Sequence, residues 1–377
     1  MNKTKLTVVI PSYERQEYLI YAIKSCLSYD FINVIVKDNS SESLNLNLHF
    51  DNNELNKIKY HHTSDCISVV ENFTIDPDEL DSDYVCFIGD DDCLGPGVDY
   101  AIKQMHRYSM DSLMVKSGST LHYFWEGSKH PFWGNTSNNL YLDKFTSVIS
   151  EINIEERLDL CNKKLGMGPM GLPRLYLGII RTNLFQSICN DHGNIFGGYS
   201  PDIYSSILLS YSGKSFFEID YPIIIPGACK KSTSGLRSER KDVSSLKGDN
   251  HLQRFKSIDW DESIPMIYSP YTVWGITHVM ALNKLKIKFS NTYLLGKLLL
   301  EIPPSRKDVL KKLKFFSFIK MIKFLIIIIQ IIFLRVYNIC RSLIKMNPGG
   351  ADIKVENLKT IIDSVNYIKT NMPIKKL

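Results

Sequence analysis

The first apolar run, residues 6–10, is unbroken and closed by Pro11, the pattern of a strand buried on both faces. Leu19, Ile20, Ile23 and Leu27 then recur at helical spacing over residues 16–28. Residues 33–37 predict a second strand ending in Asp38, residues 58–62 a weaker third, and residues 68–73 a short helix. A fourth strand over 84–88 runs into Gly89 and the triplet Asp90-Asp91-Asp92. Gly95-Pro96-Gly97 turns the chain into a helix over 98–108, and 113–116 reads as a further strand. Strands alternating with helices predict an α/β fold with a mostly parallel central sheet. Ligands of such sheets bind beyond the carboxyl ends of the strands. Tyr13, Glu14 and Arg15, then Asp38, Asp65 and Asp90 to Asp92, all fall there.

Residues 118–220 are less regular and rich in aromatics, among them Tyr123, Phe124, Trp125, Phe132 and Trp133. Such rings could stack on a sugar or acceptor, or fill a satellite core. A helix over 200–210 opens with Ser200 as N-cap and Pro201 in its first turn. Residues 216–219 and 223–225 read as strands, and 229–249 as a loop without apolar pattern.

The C-terminal third is different. Residues 315–344 are strongly apolar but carry Lys320, Lys323, Arg335 and Arg341, with Lys345 just beyond. The uncharged stretch, 324–334, is about 16 Å long as a helix, against a bilayer core of about 30 Å. Residues 306–345 hold ten Lys or Arg and one Asp, so the rest of this chain of net charge +5 is net negative by four. That distribution argues against nucleic acid as partner and for a helix lying on an anionic membrane surface through residues 305–345; the alternative is a buried helix or an oligomer contact. Eight scattered cysteines without any C-x-x-C, and no signal-peptide core at the N-terminus, lead to the expectation of a cytoplasmic protein attached peripherally to the inner face of the cell membrane.

Three adjacent carboxylates at a strand end repel one another, and a divalent cation would neutralise them. Hard ions such as Mg²⁺ and Mn²⁺ take carboxylate oxygens and often share their shell with phosphates. The alternative is a solvated acidic turn.

At these residues the chain resembles a family 2 glycosyltransferase of the GT-A fold, of the bacterial surface-polysaccharide type. VVIPSYERQEYLIYAIKSCLSY resembles that family's opening strand, turn and helix, VIVKDNSS its second strand, and YVCFIGDDDCLGPG its D-x-D strand and turn. The likeness covers residues 5–117 well, extends loosely to about 230, and leaves out the tail. It implies that Pro11, Tyr13 and Arg15 shape the nucleotide pocket, with Tyr13 near the base, and that Asp38 accepts a hydrogen bond from the base. It implies that Asp65, Asn72 and Asp91 approach the nucleotide, that Asp90 faces ribose and metal, and that Asp92 is the direct ligand of Mn²⁺ or Mg²⁺. The family often has Asn where Glu14 stands, and Gly or Ala-Arg where Val70-Glu71 precede Asn72.

An inverting transfer needs a general base for the acceptor hydroxyl. The family places an acid before a helix after the acceptor region, which here is Asp202; Asp191 and Glu218 are alternatives, and a purely helix-dipole role for Asp202 is another. Lys230, Lys231, Arg237 and Arg240 could close over a diphosphate, or the loop could be merely solvated; His251 beyond it could be a third metal ligand, or a structural histidine. The expected organisation is a nucleotide-sugar half over 1–117, an acceptor half over 118–255, a helical connector over 256–304, amphipathic membrane-associating helices over 305–345 and a helical tail over 346–377. The expected activity moves a sugar from a UDP-sugar donor to a lipid-linked or polysaccharide acceptor in cell-surface glycan synthesis. A nucleotidyltransferase would need a glycine-rich phosphate loop where PSYER stands. A non-catalytic sugar-nucleotide-binding scaffold at the membrane is the remaining alternative.

Overall fold

The computed structural model describes residues 5–130, 132–231, 246 and 250–375. The N-terminal elements are β1 (Leu6–Ser12), α1 (Gln16–Leu27), β2 (Ile32–Asp38), β3 (Ile58–His62), α2 (Val69–Phe73), β4 (Tyr84–Phe87), α3 (Val98–Arg107) and β5 (Ser112–Val115). There follow β6 (Leu121–Phe124), β7 (Asn139–Leu142), β8 (Ile149–Glu151), β9 (Gly178–Arg181), α4 (Thr182–His192), α5 (Pro201–Ser212), β10 (Phe216–Ile219) and β11 (Gly227–Ala228). The C-terminal part holds α6 (Pro270–Lys284), α7 (Thr292–Glu301), α8 (Arg306–Leu313), α9 (Phe318–Lys345), β12 (Ile353–Val355) and α10 (Ile361–Asn371).

The eight-stranded central sheet has the order β8-β10-β5-β9-β4-β1-β2-β3. Strands β4, β1, β2 and β3 are parallel to one another and β10 is parallel to β5, while β9 and β8 run antiparallel to their neighbours. β1 is buried at every position because both faces are covered. Leu6, Val8 and Ile10 pack toward α1 and α3; Val9, with Val85 and Phe87 of β4, packs toward Phe185 and Ile188 of α4 and Leu208 of α5. An unbroken apolar run is what a strand between two helical layers requires.

The irregular stretch after residue 118 builds a second sheet, β11-β6-β7-β12. Its aromatics divide. Tyr123 and Trp125 are buried in the main core, whereas Phe132 is exposed. The expected helical tail begins with a strand: β12 pairs antiparallel with β7, and α10 follows with Ile361 and Ile368 fully buried in that same core. Thr360 and Asp363 form a reciprocal cap at the start of α10. The C-terminus is therefore structurally part of the N-terminal half, not an appendage behind it.

α6, α7 and α8 share a separate core, which α9 joins through Phe324 with Met321 and Ile328 packed against it; Phe324 and Ile331 are the buried residues of α9. The buried-helix alternative for this segment is excluded, since the rest of α9 is half-buried or exposed. No helix among the described residues is long and apolar enough to cross a membrane.

Candidate active site

The parallel register sets Ser12, Asp38 and His62 level at one sheet edge, and the Asp triplet leaves β4 beside them. Glu14, in the turn after β1, takes the left-handed conformation with φ 53°. Asn tolerates that region better than most residues, a physical reason for the Asn of the resembled family. Glu14 holds the turn instead through its side chain, which accepts a hydrogen bond from Ser41 N.

All three carboxylates of the triplet are buried and held. Asp90 accepts hydrogen bonds from Ser12 Oγ at 2.8 Å and Tyr13 N at 3.4 Å, and its other oxygen lies 2.7 Å from the Arg15 guanidinium. Asp91 sits 3.5 Å from the same guanidinium and accepts from Cys229 N at 3.2 Å. Asp92 accepts from Gly89 N at 2.7 Å, Tyr176 OH at 3.0 Å and Gly227 N at 2.8 Å. Gly227 is required there, because a Cβ would lie 1.7 Å from the Asp91 carbonyl oxygen.

One guanidinium faces two of the three carboxylates, Asp90 and Asp91. Burial raises Asp90 and Asp92 to about 7, with Arg15 opposing the shift on Asp90 and Asp91 adding to both. Burial works against the charge on Arg15, but Asp90 and Asp91 outweigh it and hold its pKa above the ordinary value.

A cavity of about 600 Å³ opens on this cluster. Arg15, Asp91 and Asp92 form one wall; Arg174, Tyr199, Ser200, Asp202 and His251 belong to its lining as well. Asp90 is not on the wall: its carboxylate is turned to Ser12, Tyr13 and Arg15, and its neighbour Asp91, expected only to approach the nucleotide, lines the cavity. Asp191 and Glu218 are also absent from the lining, and Glu218 is paired with Arg157 at 3.3 Å. Asp202 is in the first turn of α5 as expected, but Ser200 does not cap the helix. Its hydroxyl donates to the Asp202 carboxylate instead. Burial raises the Asp202 pKa, and the Ser200 hydroxyl and the Arg174 charge act against that rise.

The remaining expected residues lie around the rim. Asp38 is buried and accepts four hydrogen bonds, from Ser40 N and Oγ, Gln16 Nε2 and Tyr60 OH, which occupy its lone pairs. A base could bind it only by displacing one of them. Tyr13 is 47% exposed, with the Arg254 guanidinium 3.9 Å from its ring centre. Asn72 donates to Ser12 O at 3.0 Å, Asp65 is exposed, and Pro11 is buried within β1. Lys231 reaches Glu14 O and Glu17, and Lys230 packs over Gly127; neither lines the cavity. His251 lines it, with Nε2 2.8 Å from Tyr199 O. Arg237 and Arg240 lie outside the described residues.

Among the described residues no three His, Cys, Asp or Glu side chains converge to hold an ion by themselves. Mg²⁺-type sites commonly use one or two carboxylates and complete the shell with phosphate and water. Asp91 and Asp92 fit that role: both reach the cavity, and Asp92 uses three of about four lone-pair positions.

Sequence reasoning missed Tyr176, Gly227 and Arg174. The 175–177 segment is held beside β4 by Phe87 N to Leu175 O and Leu177 N to Phe87 O, which delivers the Tyr176 hydroxyl to Asp92. No local pattern announces that contact.

No family model matches the chain, and no curated protein matches it. Among solved structures it is similar to S. aureus TarS residues 1–349 in complex with UDP-GlcNAc, at 15% identity and a TM-score of 0.45, covering 81% of this chain and 79% of that one. The same TarS piece in complex with UDP gives 14% identity and a TM-score of 0.42 over 81% and 83% of the chains. TarS itself gives 14% and 0.43 over 81% and 50%. These are distant likenesses, and nothing about activity follows from them.

Proposed function

We propose that the chain is a metal-dependent, inverting glycosyltransferase of GT-A type that takes its sugar from a UDP-sugar. The observation that supports this most is the single cavity that brings Asp91 and Asp92 together with Asp202. Asp91 and Asp92 would hold Mg²⁺ or Mn²⁺, and the ion would supply charge neutralisation for a diphosphate leaving group. Asp202 takes the proton of the acceptor hydroxyl. That oxygen bonds to the anomeric carbon as the carbon–phosphate oxygen bond breaks, and the bonding pair leaves with UDP. Arg15 keeps Asp90 and Asp91 in place during this exchange. Tyr176 and Gly227 orient Asp92 in the same way.

UDP release from a panel of UDP-sugars, with Mg²⁺ or Mn²⁺ and with chelator, tests the reading. Release is expected only with metal, and Asp91→Asn and Asp92→Asn should each lower it by about 10²-fold or more. Absence of both UDP binding and UDP release would sink the proposal.

The acceptor is proposed to be lipid-linked or a growing polysaccharide, met at the inner face of an anionic membrane. α9 supports this. It is about 42 Å long for its 28 residues, and Phe318, Ile322, Leu325, Ile329 and Phe333 are exposed along it. Lys320, Lys323 and Arg335 are exposed on the same helix, and Lys311, Lys312 and Lys314 lie just before it. Apolar side chains beside cations are the chemistry of an interfacial helix. Deleting everything from residue 305 is not a clean test, because it also removes β12 and α10 from the main core. Ile319, Ile326 and Phe333 changed together to Ser should instead abolish sedimentation with phosphatidylglycerol vesicles and leave UDP binding intact. Unchanged sedimentation, or a wild-type dimer that dissociates in this variant without any vesicle binding, would refute the membrane contact.

A further inference from the structure

Arg174 is a half-buried cation without a hydrogen-bond or ion-pair partner among the described residues. Its Nε is sealed from solvent and has no hydrogen-bond acceptor, and no hydrogen bond or ion pair to the guanidinium is formed among the described residues. A guanidinium carries five donors; here Nε is sealed and unmet, while the terminal nitrogens are not sealed and the group lines the cavity. Unpaired guanidinium donors at a cavity wall are available to something outside the chain.

Its position says what that is. Arg174 lines the cavity, as does Lys116, an exposed cation that also forms no ion pair among the described residues. The triplet carboxylates are already served by Arg15, Tyr176 and backbone amides, whereas the carboxylate that acts electrostatically on Arg174 is Asp202. The charge of Asp202, the group read above as the base, acts on Arg174, which ties the guanidinium to the side from which the attacking hydroxyl would come.

We propose that Arg174, assisted by Lys116, binds an oxyanion carried by the acceptor, a phosphate or carboxylate close to the hydroxyl that is glycosylated. The assignment to the acceptor rests on Asp202 being the base; the anion site itself does not. An anion here also shields Asp202 from the Arg174 charge, so that an acceptor bearing it leaves the base more basic than a neutral acceptor does. Planar, multiply donating recognition of an oxyanion is what distinguishes arginine from lysine at such a place.

The test uses the full chain with glycerol 1-phosphate, glycerate, glycerol and UDP as probes, each followed by calorimetry and thermal unfolding. Glycerol 1-phosphate or glycerate should bind and raise Tm, and glycerol should do neither. Arg174→Gln should weaken the anionic probe by about tenfold or more, Lys116→Gln by a smaller factor, and Arg174→Lys by an intermediate one. UDP affinity should stay within about twofold in all three. Ligand-free Arg174→Gln should unfold at no lower temperature than wild type, since it loses no hydrogen bond. If it fails to fold, the Lys116 and Arg174→Lys variants carry the comparison. Equal binding of the anionic probes by every variant, or no binding to wild type, overturns the proposal. A parallel tenfold loss of UDP in Arg174→Gln overturns it too, by moving Arg174 to the donor diphosphate. A wild type that binds glycerol 1-phosphate through Arg174 but not UDP would overturn the glycosyltransferase reading and support the anion site.

Discussion

Asp202→Asn should lower kcat by about 10²- to 10⁴-fold, the range of a lost general base, with little change in UDP affinity. Asn keeps the size of the side chain and can accept the Ser200 hydroxyl bond, so the fold around the start of α5 should survive. The pH profile separates catalysis from packing. Burial raises the Asp202 pKa above that of an ordinary carboxylate, and a base works only when ionised. Turnover in the wild type should therefore climb with pH along an acid limb displaced upward from the usual carboxylate range. The residual activity of Asp202→Asn should lack that limb. An Asn variant with wild-type turnover, or with the limb intact, would remove Asp202 as the base and leave it the helix-dipole role alone.

The parts of this site that were legible in the sequence are those written by a strand and its own end. The apolar run before Pro11 marks β1, the Asp triplet marks the end of β4, and Asp202 marks the start of α5. What a carboxylate does at a strand end is set by its donors, and these come from far away. Asp92 is oriented by Tyr176 and Gly227, 84 and 135 residues on, and Asp38 by Gln16 and Tyr60 from different elements. Which of three adjacent aspartates faces the cavity depends on those contacts and has no signature in the triplet itself. The same holds for the C-terminus. The spacing of Ile361, Val365 and Ile368 is plainly helical, yet nothing local says that α10 buries them against the first half of the chain. α9 is the converse case. Its mixture of cations and apolar residues was informative, because a helix that keeps its charges in water also keeps most of its surface there.

The neutralisation of the triplet can be tested on Arg15. Arg15→Met should destabilise the fold by about 3–5 kcal/mol, because removing one partner of a buried ion pair strands the other charge. Asp90 has no solvent exposure, and Arg15 is its 2.7 Å counterion. The sign of the pH dependence follows from the raised Asp90 pKa, about 7 in the folded chain against an ordinary carboxylate value when unfolded. A carboxylate raised in this way holds a proton that the unfolded chain has released, so ionising it as pH rises costs stability. The methionine variant should accordingly lose most stability above about pH 7 and less below it, where Asp90 is protonated and only Asp91 misses the guanidinium. Arg15→Met combined with Asp90→Asn should recover most of the loss, since a neutral pair replaces an ion pair and the Asn oxygen still accepts from Ser12 and Tyr13. Denaturant unfolding of the two variants at pH 6 and pH 8 decides it. If the double variant is as unstable as the single one, Arg15 holds the turn by packing, and the charge on Asp90 must be balanced by something other than this guanidinium.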